Sequence, residues 1–217
     1  MEAQTLKVLV TSGPTREFID DVRYIASPSS GRMGAAVADV FAVAGHDVLL
    51  VTGPTHLPPI EGVRCVNVVS ALDMQREVSA HLHDVDVVVA AAAVADYRVA
   101  ERFKGKRKRT GEKLILELVE NPDILKEIGA TKGDKILVGF AVESSARREG
   151  ALAKLRKKNL DMIVLNGPEA FGVETTSVEI IEADEHTTVL KDVSKHQVAE
   201  QILRMVERIR EGRTQKQ

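Results

Sequence analysis

The chain has 217 residues, of which 44% are hydrophobic, and its formal net charge at pH 7 is −2. This size allows one compact domain with a substantial core, and the near-zero charge gives no general attraction to nucleic acid or to a membrane surface. No apolar run reaches the roughly 18–20 residues of a membrane span, and no basic and apolar leader is apparent at the N-terminus. The one cysteine, Cys65, excludes a disulfide framework. We therefore expect a cytoplasmic protein.

Apolar segments typical of buried strands alternate with amphipathic segments along most of the chain. Val- and Ile-rich runs without strict alternation predict strands that are covered on both faces. Helices are expected over residues 32–44 and 147–158, and after the capping signals at Ser70 and Ser194. The strand candidates are residues 7–11, 47–52, 63–69, 85–91, 135–140 and 161–166. This order predicts an α/β, Rossmann-like fold with a doubly wound, mostly parallel sheet.

Two segments depart from this alternation and predict a small antiparallel addition. Residues 113–119 indicate a half-exposed strand outside the main sheet, and residues 178–183 and 187–190 indicate a late hairpin. We expect a single domain over residues 1–217, with a core from about 6 to 210, a flap at about 98–119 and a disordered tail at 212–217. The exposed strand edges favour pairing across a dimer.

A long polar connection follows the first predicted strand. It spans residues 12–31, whereas connections in α/β units are roughly 2–6 residues long. It begins with the turn Ser-Gly-Pro-Thr at residues 12–15 and ends with Ser-Ser-Gly at residues 29–31, just before a helix. Small polar turns of this kind present backbone N–H groups and hydroxyls to an anion.

Other unusual segments also follow strands, where ligands bind in doubly wound sheets. Residues 90–93 are all alanine, and methyl side chains let a flat base or a sugar approach the backbone. Asp96 then offers a carboxylate to ribose hydroxyls or to an exocyclic amine, although a tightly packed strand end with a solvated aspartate explains the same residues. Residues 140–143 and 166–167 follow the next two strands.

Two groups of basic residues allow more than one interpretation. Residues 104–109 carry five positive charges, which fit a solvated loop, a nucleic-acid patch, or a flexible lid over a triphosphate. Lys154 and Lys158 are one helical turn apart, which fits a solvated helix face or a pair of lysines that share an anion.

Several common sites are excluded or weakly supported. The six histidines have no zinc-ligand spacing, and Ser29 and Ser30 have no evident activating histidine. An NAD(P)-dependent oxidoreductase shares the predicted architecture, but the first turn lacks the G-x-G-x-x-G pattern. A non-catalytic nucleotide or nucleic-acid binder remains the second alternative, with residues 104–109 as its contact.

Six ordered segments resemble phosphopantothenoylcysteine synthetase, the ligase of coenzyme A biosynthesis, and the resemblance extends from residue 7 to about residue 210. They are GPTREFIDDVRYI (13–25), SSGRMG (29–34), AAAVADY (91–97), NPDIL (121–125), GFAVE (139–143) and KKNLD (157–161).

The resemblance implies a set of nucleotide-binding residues, a set of substrate-binding residues and a catalytic lysine on the flap. The nucleotide would be contacted by Ala90, Ala91, Ala92, Asp96, Lys106, Pro122, Asp123, Ile124, Leu125, Phe140, Lys154 and Lys158. The acid substrate would be contacted by Gly13, Thr15, Arg16, Ser29, Ser30 and Gly31. Lys106 would be catalytic. Asn121 is expected to cap the helix that Pro122 begins.

Ser27 departs from the family pattern. The synthetases normally carry asparagine at this position, and it is tied to handling the acyl-nucleotide intermediate. A hydroxyl has one oxygen where a carboxamide has a donor and an acceptor on separate atoms. Ser27 is therefore expected to act catalytically through a water or with help from Ser29, or else to leave an enzyme of reduced activity or altered substrate.

The implied reaction joins 4′-phosphopantothenate to L-cysteine in two steps. A nucleoside triphosphate, CTP with Mg²⁺ in the bacterial type, activates the carboxylate as an acyl-nucleotide and releases pyrophosphate. The cysteine amine then displaces the nucleoside monophosphate and forms the amide. The resemblance also implies a homodimer and a separate flavin-dependent decarboxylase as a partner. We expect neither a membrane nor a nucleic-acid partner, and the metal ligands are not assigned.

Overall fold

A computed structural model describes residues 5–142, 147–167 and 175–215. Its helices are α1 (Arg32–Val43), α2 (Ala71–His81), α3 (Ile124–Ala130), α4 (Arg147–Lys157) and α5 (Lys195–Thr214), with a 3₁₀ turn at Leu82–Asp84. Its strands are β1 (Lys7–Ser12), β2 (Arg16–Phe18), β3 (Tyr24–Ala26), β4 (Asp47–Thr52), β5 (Arg64–Asn67), β6 (Val87–Ala90), β7 (Tyr97–Val99), β8 (Leu118–Glu120), β9 (Ile136–Val142), β10 (Met162–Asn166), β11 (Thr175–Glu182) and β12 (Thr187–Ser194).

Eight strands form one sheet in the order β12-β11-β10-β9-β6-β1-β4-β5. The strands from β5 to β10 in that order are parallel, and β11 and β12 join antiparallel as the late hairpin. Strand order reverses at β1, which pairs with β4 on one side and β6 on the other, so the carboxyl edge is open there to a ligand. The predicted α/β, doubly wound, mostly parallel sheet is confirmed.

Helices cover both faces of this sheet, because side chains alternate along each buried strand. Val8 and Val10 of β1 pack against α1 and α5. Leu9, between them, packs on the other face against α2, α3 and α4. Within the described ranges, no helix combines the length and the apolar character that crossing a bilayer requires.

Two small antiparallel sheets lie outside the main sheet. One pairs β2 with β3 inside the long connection, and the sequence did not predict it. The other pairs β7 with β8. The prediction of a strand over residues 113–119 is wrong in its bounds, because β7 offers partners only to Leu118–Glu120. Leu114 and Ile115 lie before β8 and are exposed.

Helix ends agree with the sequence at two places and differ at two others. Capping boxes begin α2 at Ser70 and α5 at Ser194, as predicted. The N-cap of α3 is Asp123 rather than Asn121, because the Asn121 amide donates instead to the Ala95 carbonyl oxygen at 2.8 Å. α5 also continues three residues into the tail predicted to be disordered, since Arg213 pairs with the carboxylate of Asp161.

Candidate functional site

A cavity of about 700 Å³ opens along the carboxyl edge of the sheet. Its lining includes Thr11 of β1, Ala90 of β6, Phe140 of β9 and Asn166 of β10, so it crosses the point where strand order reverses. Ligand pockets are typically about 300–1,000 Å³ in volume. The cavity can therefore hold one small molecule or two that react with each other.

Residues 90–97 form the central wall, and their backbone N–H groups donate hydrogen bonds to β1 and to the turn that follows it. The Thr11 hydroxyl accepts from the Ala92 N–H at 3.2 Å, and the Thr15 hydroxyl accepts from the Ala95 N–H at 2.9 Å. The Gly13 carbonyl also accepts from the Ala93 N–H at 2.9 Å. The strand end that was predicted to meet a nucleotide is thus held rigidly at the cavity.

The wall next to α3 and α4 carries the two predicted lysines. Lys154 and Lys158 both line the cavity, together with Pro122, Asp123, Ile124 and Leu125. Lys158 Nζ lies 2.8 Å from Asp123 Oδ1, and the same oxygen caps the Lys126 N–H at 3.1 Å. This ion pair holds the Lys158 ammonium group beside the first turn of α3.

The opposite wall is formed by the start of α1 and the start of α5. Ser29, Ser30 and Gly31 line it, with Arg32 and Lys195 beside them. Gly31 has φ +78°, a conformation that glycine adopts without strain. Burial and the neighbouring charge of Arg32 lower the pKa of Lys195. A negatively charged group of a ligand would be attracted to this wall.

Five predicted site residues do not line the cavity in the described part of the chain. Gly13 and Thr15 support the wall from behind, and Thr15 is fully buried. The guanidinium of Arg16 lies 4.7 Å from the centre of the Tyr24 ring. The hydroxyl of Ser27 is 3.4 Å from the Ser29 N–H, which donates to it. The fifth residue, Lys106, is on the flap. The direct binding roles of all five residues stay predictions.

Lys106 lies on the flap, which is fastened to the β2–β3 hairpin rather than folded over the cavity. The Gly105 N–H donates to the carboxylate of Asp21 at 2.9 Å, and the Arg107 N–H donates to that of Asp20 at 3.2 Å. The Arg23 guanidinium beside Asp20 holds the pKa of that carboxyl well below its ordinary value. Asp20 and Asp21 thus hold the flap against the hairpin, and we call this pair of aspartates the latch.

Sequence reasoning missed several lining residues. Glu120, Asn121, Arg32, Lys195 and Thr176 complete the walls. The strand-end rule that selected residues 90–97 could have found Thr176 and Lys195, had the late hairpin been placed in the main sheet. No group of three or more His, Cys, Asp or Glu residues is arranged to hold a metal in the part of the chain that the structure describes.

A family model, described as the DNA/pantothenate metabolism flavoprotein C-terminal domain, matches residues 3–209. The coenzyme A biosynthesis bifunctional protein CoaBC of Bacillus subtilis (strain 168) is 40% identical over 204 residues, which cover 92% of this chain and 50% of that protein. The chain spans about half the length of the curated relatives that it matches.

Solved structures share the fold. The crystal structure of a C-terminal domain of CoaBC superposes with a TM-score of 0.85 at 39% identity, covering 98% of this chain and 100% of that one. A structure of a Cab2 mutant in complex with phosphopantothenate-cysteine gives a TM-score of 0.79 at 15% identity, covering 96% of this chain and 89% of that one. The second likeness establishes the fold alone.

Proposed function

Since the chain belongs to the family of the DNA/pantothenate metabolism flavoprotein C-terminal domain, as a CoaB-type phosphopantothenoylcysteine synthetase domain, we propose that it joins 4′-phosphopantothenate to L-cysteine. One observation carries the proposal. The cavity brings Asp96, Phe140 and Lys158 together with the start of α1, although these residues are far apart in the sequence. The relatives named for coenzyme A biosynthesis, at 39–40% identity, support the choice of substrates.

The chemistry requires two binding regions that meet. A carboxylate is a poor acyl donor until one of its oxygens becomes part of a good leaving group, and an acyl-nucleotide supplies that leaving group. Asp96 and Phe140 would hold the nucleoside, while Lys154 and Lys158 would neutralise the phosphates. The wall with Ser29, Ser30 and Gly31 would hold the acid, so that its carboxylate reaches the α-phosphate.

CTP with Mg²⁺ is the proposed cosubstrate. The backbone of residues 91–96 would distinguish a pyrimidine from a larger purine, because the hydrogen bonds that Ala92 and Ala95 donate to the Thr11 and Thr15 hydroxyls hold it in place. Mg²⁺ needs few protein ligands here, since it is commonly held by one or two carboxylates and the phosphates of the substrate. Asp96, Glu120 and Asp123 are carboxylates on the cavity lining.

Lys106 would reach the reacting phosphates by movement of the flap. Such closure is common where catalysis needs water to be excluded. It requires release of the hydrogen bonds from the flap to Asp20 and Asp21. Ser27 would then act through the turn that precedes α1, where its hydroxyl already contacts the Ser29 N–H.

A homodimer is proposed from exposed apolar side chains on the two small sheets. Val22, in the turn between β2 and β3, and Tyr24, Tyr97 and Leu118 on the strands are each more than 40% exposed, and exposed apolar side chains of this kind favour an interaction surface. Light scattering would show a mass of twice 23.7 kDa for a dimer. We also propose a cytoplasmic setting and, as a partner, a separate flavin-dependent decarboxylase that receives the amide product.

The test is release of pyrophosphate. The protein should release it from CTP when 4′-phosphopantothenate is present, before cysteine is added, and should then form the amide on addition of cysteine. Lys106→Gln should slow the first step, with Lys104→Gln as the matched control on the same flap. ATP in place of CTP tests the choice of base. No pyrophosphate with any nucleotide would remove the ligase proposal.

A further inference from the structure

Asn166 ends β10 on the wall of the cavity, and its side-chain oxygen is buried without a partner. Oδ1 accepts no hydrogen bond from any part of the chain that the structure describes. Burying an amide oxygen without a partner destabilises a folded protein, and most buried polar atoms are paired. A carboxamide oxygen left unpaired beside a cavity can gain its missing hydrogen bond from a ligand group that reaches it.

The alternation of side chains places Asn166 on the α1 and α5 face of the sheet. Met162 and Val164 of the same strand pack in the core on that face, and Asn166 follows with the same period of two. Phe140, opposite Val164 on β9, also packs against that core. Asn166 thus belongs to the wall with Arg32 and Ser29, on the face of the sheet opposite to α4.

The carboxamide suits a neutral polar group better than a phosphate. It offers two donors and one acceptor without charge, and turning it about its last bond exchanges the oxygen and the nitrogen. Arg32 and Lys195 stand on the same wall and are the stronger attraction for an anionic group. Asn166 is left to bind a hydroxyl or an amide located between the two charged ends of a ligand.

We infer that Asn166 binds the uncharged middle of the acid substrate and thereby selects it. This inference rests on the proposed function: 4′-phosphopantothenate carries a hydroxyl and an amide between its phosphate and its carboxylate. The hydrogen bonds from Asn166 to the hydroxyl and the amide orient the substrate so that its carboxylate points toward the wall with Lys154 and Lys158. A nucleotide whose phosphates lie at Lys154 and Lys158, on the other wall, does not depend on Asn166, although Phe140, which would contact its base, lies on the same face as Asn166.

Titration calorimetry on the full chain tests the inference without relying on turnover. Asn166→Ala should weaken binding of 4′-phosphopantothenate about tenfold, the effect of losing a hydrogen bond or two, while CTP binding is unchanged. Asn67→Ala is the matched control, because Asn67 also ends a strand, is exposed and lies outside the cavity lining. An analogue of the acid without the hydroxyl or the amide should lose affinity for the wild-type protein but less for Asn166→Ala.

A structural role for Asn166 predicts a different pattern. If Asn166 had a structural role, Asn166→Ala would lower the thermal midpoint and weaken the binding of both ligands equally. That result would overturn the inference. Unchanged binding of 4′-phosphopantothenate to Asn166→Ala would overturn it as well. Asn166→Ala could weaken the binding of 4′-phosphopantothenate alone while the wild-type protein releases no pyrophosphate. That result would support Asn166 as a binding residue and refute the ligase proposal. A wild-type protein that does not bind 4′-phosphopantothenate at all would overturn both proposals.

Discussion

Thr15 illustrates how a residue outside the cavity sets the shape of its wall. Its side chain is fully buried, and its hydroxyl is the acceptor for the Ala95 N–H, next to Asp96. Thr15→Val keeps the shape but leaves that N–H unpaired, which costs about 1–3 kcal/mol when the group stays buried. We expect a lower thermal midpoint and weaker CTP binding, measured by calorimetry. Thr188→Val on β12, remote from the lining residues, is the control, and equal CTP affinity for both variants would contradict this role.

Lys158 and Lys157 provide a matched pair of lysines on neighbouring positions. Lys158 lines the cavity beside Asp123, whereas Lys157 is exposed and lies outside the lining. Lys158→Gln removes a charged contact to phosphate, so the KM for the nucleotide should rise roughly 10–100-fold. Lys157→Gln should leave it unchanged. A similar KM for both variants would mean that the triphosphate binds elsewhere.

At the scale of elements, the flap and the β2–β3 hairpin form a unit that Asp20 and Asp21 hold together. Asp20→Asn removes the ion pair with Arg23 and weakens the acceptor for the Arg107 N–H. Trypsin should then cleave faster within residues 104–109, since these basic residues would leave the hairpin more often. Asp39→Asn, which disturbs a surface contact to His196 on another part of the molecule, is the control. Unaltered cleavage in Asp20→Asn would show that the latch does not restrain the flap.

The latch should also depend on pH in a defined direction. The pKa of Asp20 is lowered by Arg23, so its stabilisation is complete above the unfolded value of about 3.9 and is lost as pH falls through the lower folded value. The difference in thermal midpoint between wild type and Asp20→Asn should be constant above pH 5 and should shrink toward pH 2. A difference that grows in acid would contradict the assignment.

The sequence predicts an element well when the contacts that stabilise it are made by residues close together in the sequence. The parallel strands follow from apolar runs such as β4, and α2 and α5 follow from capping boxes at Ser70 and Ser194, all within a few residues. The β2–β3 hairpin is different: its residue Glu17 is buried because its carboxylate accepts the Ala71 N–H, 54 positions away. Likewise, Thr15 meets Ala95 across 80 positions. Motif resemblance identified about half of the residues that line the cavity, but no local pattern reveals contacts of this range.

At the scale of the whole molecule, Asp161 joins the C-terminal helix to the sheet. Its carboxylate contacts Lys132 Nζ at 2.8 Å, accepts the Leu137 N–H at 2.7 Å and pairs with Arg213 of α5. Asp161→Asn leaves the nearly buried Lys132 without its counter-charge, and breaking a buried pair costs about 3–5 kcal/mol. The thermal midpoint should fall by roughly 6–20 °C. Asp134→Asn is the control, and a fall of the same size there would refute this account.

The central claim is that a single cavity at the carboxyl edge of the sheet binds the nucleotide and the acid that it activates. A crystal structure of the protein with CTP and 4′-phosphopantothenate, without cysteine, tests it most directly. The account predicts the base beside Asp96 and Phe140, the phosphates toward Lys154 and Lys158, and the acid against residues 29–31. Either ligand bound on another surface, with this edge empty, would contradict it.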